Sequence, residues 1–144
     1  QADLAAVGIE IEWTVSTAET FDQYRAGELP FGMHSWGASF PDGFDYVSGW
    51  VTCASAQAEG TYNFGKYCNE KIDEMMAEAE KLAIDDPKRL DLYRGIQDIV
   101  VNQDVSIIPL TTGIGLALSK DYMHDDVRSF IFGHPLLETA WMDK

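Results

Sequence analysis

The residues from Asn69 to Asn102 constrain this chain most, because two helical apolar stripes are separated there by an explicit stop. Ile72, Met75, Met76, Ala79, Leu82 and Ala83 recur at the spacing of one helix face, with Asn69 placed as N-cap. Asp85, Asp86 and Pro87 then end that helix and start another: Asp86 can cap, and a proline in the first turn sacrifices no hydrogen bond. Leu90, Tyr93, Ile96, Ile99 and Val100 form the second stripe. The pattern predicts a helical hairpin over 69–102 with its apolar faces packed on a sheet.

The remainder of the chain supplies candidate strands for that sheet. Ile9, Ile11, Trp13 and Val15 alternate with polar residues, the period of a strand with one buried face. Ser16 and Glu19 have capping-box spacing, opening a short helix that carries Phe21 and Tyr24 and ends at Gly27. A second strand is expected over Phe31–Trp36, a pair over Val105–Leu110 and Gly113–Leu118, and a short one at Phe130–Phe132. Gln1–Val7 has helical propensity, closed by Gly8, and reads as the tail of something longer. Strand, helix and strand in alternation give an α/β class.

At 144 residues the chain is expected to form a single domain, 1–144, large enough for a real core. Lys and Arg number 10 against 24 Asp and Glu, a formal net charge of -14 that argues against nucleic acid and anionic lipid surfaces as partners. Cys53 and Cys68 fit neither a redox CxxC pair nor a zinc set, and could be buried thiols or one disulfide. The residues around and between them, Thr52–Tyr67, are small and polar without apolar period, which predicts a surface loop.

The stretch FGMHSWGASFPDGFDYVSGWV, from Phe31 to Val51, concentrates two of the four Trp and three of the seven Phe among turn residues. Rings beside a few polar groups are the material of a small-molecule pocket, and turn-rich loops carry such sites. His34, His124 and His134 have no metal-ligand spacing, so neither a metal nor a cofactor is expected. His34 sits where it could line the pocket or pack in a core. Asp42 and Asp45 could serve as paired carboxylates of a small hydrolase, although turn and capping duty suits both. A nucleophile elbow and a phosphate-binding glycine loop are both missing from the sequence, so an enzyme is not expected.

Taken in order, AAVGIEIEW, AGEL, MHSWGASFPD, YCNEKIDEMMAEAE, DDPKRLDLYRGIQDIV and IIPL resemble the C-terminal lobe of the family 5 extracellular solute-binding proteins, over roughly Leu4–Leu110. These are the dipeptide, oligopeptide and nickel-binding components of ABC importers. The resemblance implies a fragment of the C-terminal ligand-binding lobe of a type II periplasmic binding protein fold, a mixed sheet with flanking helices. It also implies a disulfide across the loop 53–68 between Cys53 and Cys68, and a periplasmic or extracellular location, with lipid anchoring as one form of it. The partners it implies are a peptide or other small-molecule ligand, an ABC permease and the missing N-terminal lobe.

The family's tryptophan loop often reads W-x-x-D-Y, and its aspartate holds a peptide amine. Here the matching residues are Trp36, Gly37, Ala38, Ser39 and Phe40, so a neutral hydroxyl stands in place of the carboxylate. That change puts amine recognition in doubt and leaves oligosaccharides as an alternative ligand class. Trp36, Ser39, Phe40, Asp42 and His34 are the expected ligand-binding residues, with Phe44, Tyr46 and Trp50 as further stacking faces. A domain that only scaffolds a partner is a third reading, marked by an apolar patch without a pocket.

Overall fold

A computed structural model describes residues 1–144 except 14, 16, 30, 114–117, 126–136 and 144. The described residues form six α-helices and one two-stranded ribbon: α1 (Ala2–Ala6), α2 (Ala18–Ala26), α3 (Gly43–Val47), α4 (Cys53–Gln57), α5 (Glu70–Ala79), α6 (Pro87–Asp98), β1 (Met123–His124) and β2 (Trp141–Met142). A π-helical turn, Ile99–Gln103, continues α6.

The helical hairpin forms for the reasons its sequence contains. The Asn69 side chain accepts from the Lys71 amide at 3.1 Å, and Asp86 accepts from the Lys88 amide at 2.8 Å. Each cap satisfies an amide that the first helical turn leaves without a partner. Ile72, Met76 and Ala79 of α5 are buried, and Ile96 of α6 meets them. The wider turn after α6 brings the adjacent Ile99 and Val100 inward together. Asn102 and Gln103 both donate to the Asp98 carboxylate, at 2.8 and 2.7 Å, which braces that turn from outside. Leu90, placed on the inner stripe by its spacing, is instead 52% exposed.

The short helix α3 lies against α6. Gly43 makes this possible, because a Cβ there would come within 2.9 Å of the Tyr93 ring. Asp42 caps α3 through the Phe44 amide at 2.8 Å, and its two carboxylate oxygens accept from Arg89 Nη2 at 2.9 and 2.7 Å. Arg89 also donates through Nη1 to the carbonyls of Ala79, the last residue of α5, and of Leu82 just beyond it. One buried ion pair thus joins α3, α5 and α6.

Residues 53–68 are not the surface loop the composition suggests. Cys53 and Cys68 are bonded to each other, α4 lies between them, and Ser55, Thr61 and Asn63 are buried. Asn63 organises the segment: its amide nitrogen donates to Ser55 Oγ at 3.0 Å and to the Tyr67 carbonyl at 2.7 Å, while its oxygen accepts from the Tyr67 amide at 2.9 Å. A polar side chain buried with its hydrogen bonds made specifies one conformation, which small residues in a sequence do not reveal.

The expected α/β lobe with a mixed sheet and flanking helices is overturned: among the described residues the only sheet is the antiparallel pair β1–β2, with Met123 opposite Met142 and His124 opposite Trp141. The segments 9–15, 31–36 and 105–110 contain no strand at the described positions, and Ile9, Trp13, Val15, Phe31, Met33, Ile108 and Leu110 are all more than half exposed. Alternation creates a face, but a strand forms only when a neighbour takes its N–H and C=O groups. These segments do not pair with one another. The hairpin therefore packs on α3 and its flanks, Val51 among them, rather than on a sheet. Thr17, not Ser16, caps α2, accepting from the Thr20 amide at 3.1 Å. Ser16, Phe130–Phe132, His134 and most of Gly113–Leu118 lie outside the described residues.

Candidate functional site: an aromatic cluster

The rings that gather are contributed by three stretches of chain. Phe21 comes from α2, His34 and Trp36 from the extended segment after it, and Trp50, Tyr62 and Phe64 from either side of α4. Trp36 lies 4.6 Å from Tyr62 between ring centroids and 5.8 Å from Trp50, edge to face. His34 stacks on Tyr62 at 5.9 Å, tilts against Trp50 at 5.4 Å and meets the edge of Phe64 at 5.2 Å. Phe21 closes the group against Phe64 at 5.8 Å. Such pairs contribute about 0.5–1.5 kcal/mol each beyond the area they bury.

The local fold positions this cluster. The Asn63 network fixes the backbone between Tyr62 and Phe64, which alternate across it, and Thr61 donates to the Gly49 carbonyl at 3.3 Å beside Trp50. Trp50 also packs on the aliphatic core, so the cluster stands on a rigid base.

Its polar atoms set it apart. The indole N–H groups of Trp36 and Trp50 are both buried and neither has an acceptor. A buried donor without a partner costs about 1–3 kcal/mol, so two in one cluster call for an explanation. His34 is an exposed residue, yet desolvation where its ring packs on its neighbours holds its pKa below the ordinary histidine value. At neutral pH it presents an uncharged ring with one donor and one acceptor nitrogen.

Of the five residues singled out in the sequence, the structure brings His34 and Trp36 together and places the other three elsewhere. Phe40 stacks on Phe44 at 6.4 Å and is 41% exposed. The Ser39 amide donates to Asp45 Oδ2 at 2.6 Å, leaving its exposed hydroxyl beside the start of α3. Asp42 belongs to the Arg89 pair, where both side chains are about nine-tenths buried. Burial alone would raise the Asp42 carboxyl, but the Phe44 amide and the Arg89 guanidinium outweigh it and hold the pKa below the usual carboxylate value. Asp42, expected among the ligand-binding residues, is thus occupied in holding helices together.

Tyr62 and Phe64 are the members that sequence reasoning missed. Their signal was two rings in alternation around one Asn, within a segment otherwise too polar to suggest order. Two cavities open elsewhere: an apolar groove of about 350 Å³ between α3 and α6, lined by residues such as Val47, Tyr93 and Ile107, and a wider bowl beside α2. Neither is lined by Trp36 or Trp50. Among the described residues no group of three His, Cys, Asp or Glu side chains could hold a metal ion, and no helix is long and apolar enough to cross a membrane.

No protein-family model, curated protein or solved structure matches the chain.

Proposed function

We propose that this chain captures a small solute on the aromatic cluster, as the substrate-binding component of an ABC importer that hands the solute to a membrane permease. The observation that carries the reading is the pair of unpartnered indole N–H donors among stacked rings. Stacking faces supply affinity, and neutral donors supply orientation, without any group poised to break a bond. The order of family-like motifs supports the importer setting. The Cys53–Cys68 bond suits a protein working outside the cytoplasmic membrane, where disulfides persist.

Within this role the geometry favours a cyclic, hydroxyl-bearing ligand such as an oligosaccharide over a peptide. A peptide's α-amine needs an ionised acceptor, and Asp42 is already engaged by Arg89. A sugar needs a ring to stack on and neutral partners for its hydroxyls, which Trp36, Trp50, Tyr62 and the uncharged His34 provide. A hydrolytic role finds less support, since Asp42 serves Arg89 and Asp45 serves the Ser39 amide.

Calorimetric titration tests this directly, using pools of di- and trisaccharides, free di- and tripeptides, and the same peptides N-acetylated. Saccharide binding without turnover, weakened about tenfold in Trp36→Phe, is the expected result. Binding of free peptides that acetylation abolishes would overturn the ligand assignment, and product formation would overturn capture.

A further inference from the structure

The bowl beside α2, about 550 Å³ in volume, contains Asp22, Arg25, Gln57, Glu59, Gly60 and Lys66 among its lining residues. Arg25 is the unusual member. Its guanidinium lies 5.1 Å from the centroid of Phe21 and 5.3 Å from that of Tyr62, and its Nε is buried with no acceptor. The four ion pairs among the described residues include none of Arg25, Lys66, Asp22 and Glu59. Asp22 sits one turn before Arg25 on α2, yet it makes no ion pair with it, and both Asp22 and Glu59 are exposed.

A guanidinium stacked on aromatic rings is held in orientation by them and keeps its edge N–H groups for a planar acceptor. Lys66 reaches the same bowl with its stem against Gly27, adding a flexible point charge. Tyr62 packs against both the Arg25 guanidinium and the Trp36 ring, so one ring links the Arg25 side of the bowl to the cluster.

We infer that Arg25 and Lys66 anchor a carboxylate on the captured solute, whose ring lies on the cluster of Trp36, Trp50 and Tyr62. The ligand class is then an acidic sugar, a uronate, rather than a neutral one. Asp22 and Glu59 at the same bowl limit the charge accepted there, so a single carboxylate is taken in preference to a phosphate dianion. This inference rests on the proposed capture function and specifies its ligand.

The test uses galacturonate disaccharide, the same disaccharide as its methyl ester, and inorganic phosphate, each titrated into the full chain by calorimetry at pH 7. The acid is expected to bind about tenfold more tightly than the ester, as a charge-assisted hydrogen bond provides. In Arg25→Gln and in Lys66→Gln that ratio should fall towards one while ester affinity is kept. Arg25→Lys, which restores charge without the planar fork, should recover part of it. Equal binding of acid and ester by the parent, a ratio that survives both Gln substitutions, or phosphate binding as tight as the acid would each overturn the anchor while leaving capture intact. Binding of neither sugar form would instead remove the capture reading and the anchor with it.

Discussion

The aliphatic core and the aromatic cluster share Trp50 at their border and treat polar atoms in opposite ways. In the core, Val51, Ile72, Met76, Ile96, Ile99 and Val100 are nearly sealed from solvent, and the neighbouring Asn63 has its hydrogen bonds made. In the cluster the rings are partly exposed while two indole donors beneath them lack acceptors. A region selected for stability alone would place those donors against acceptors, as Trp141 does by donating to the Asp125 carboxylate at 3.0 Å. The difference separates what holds this molecule together from what the proposed capture would use.

Substitutions that damage only one region sharpen that comparison. The largest effect is expected from Ile96→Ala, which empties a site 1% exposed at the centre of the core. Loss of about 4 kcal/mol in urea unfolding is predicted, with ligand affinity unchanged wherever the protein remains folded. A fall below 1 kcal/mol would mean the hairpin is not the stabilising element. Arg89→Met comes next, because it strands the Asp42 carboxylate among three helices. The expected cost is about 3 kcal/mol, and adding Asp42→Asn should recover part of it by removing the unpaired charge.

Within the cluster the order of effects reverses. Trp36→Phe keeps a ring and removes one unpartnered donor, so stability should change by less than about 1 kcal/mol while saccharide affinity falls about tenfold. A large stability loss without an affinity change would make the cluster ordinary packing.

The smallest effect is a pH dependence from His34, whose pKa in the folded protein lies below its unfolded value near 6.5. The unfolded chain takes up the proton first as pH falls. Stability is therefore full above about pH 6.5 and declines on acidification through that value towards the folded pKa. His34→Gln should remove this slope from melting curves recorded between pH 7.5 and 5. Asp42 contributes separately and lower, its stabilisation being present above the unfolded carboxylate value and lost as pH drops through the depressed folded one.

What could be read from the sequence was local. Asn69, Asp86 and Gly27 announced helix ends because capping depends on a few adjacent residues, and the stripes of α5 and α6 followed from their period. The alternation at Ile9–Val15 was equally regular, but a strand needs a partner that no local pattern guarantees, and there the reading failed. The candidate site was half legible for a related reason. His34 and Trp36 lie in one ring-rich stretch, whereas Tyr62 and Phe64 are set by the Asn63 hydrogen bonds and the Cys53–Cys68 bond, side-chain pairings that no sequence period announces. Asp42 looked like a ligand contact by its place after Trp36, and only its distant partner Arg89 reveals its structural duty.

The most direct measurement follows the four indole N–H signals of the ¹⁵N-labelled protein as saccharide is added. Trp36 and Trp50 should shift together with a common affinity, while Trp141, already bonded to Asp125, and the exposed Trp13 stay in place. Saturating ligand that leaves the Trp36 and Trp50 signals unmoved, or that moves only Trp13 and Trp141, would contradict the assignment of the aromatic cluster as the site of capture.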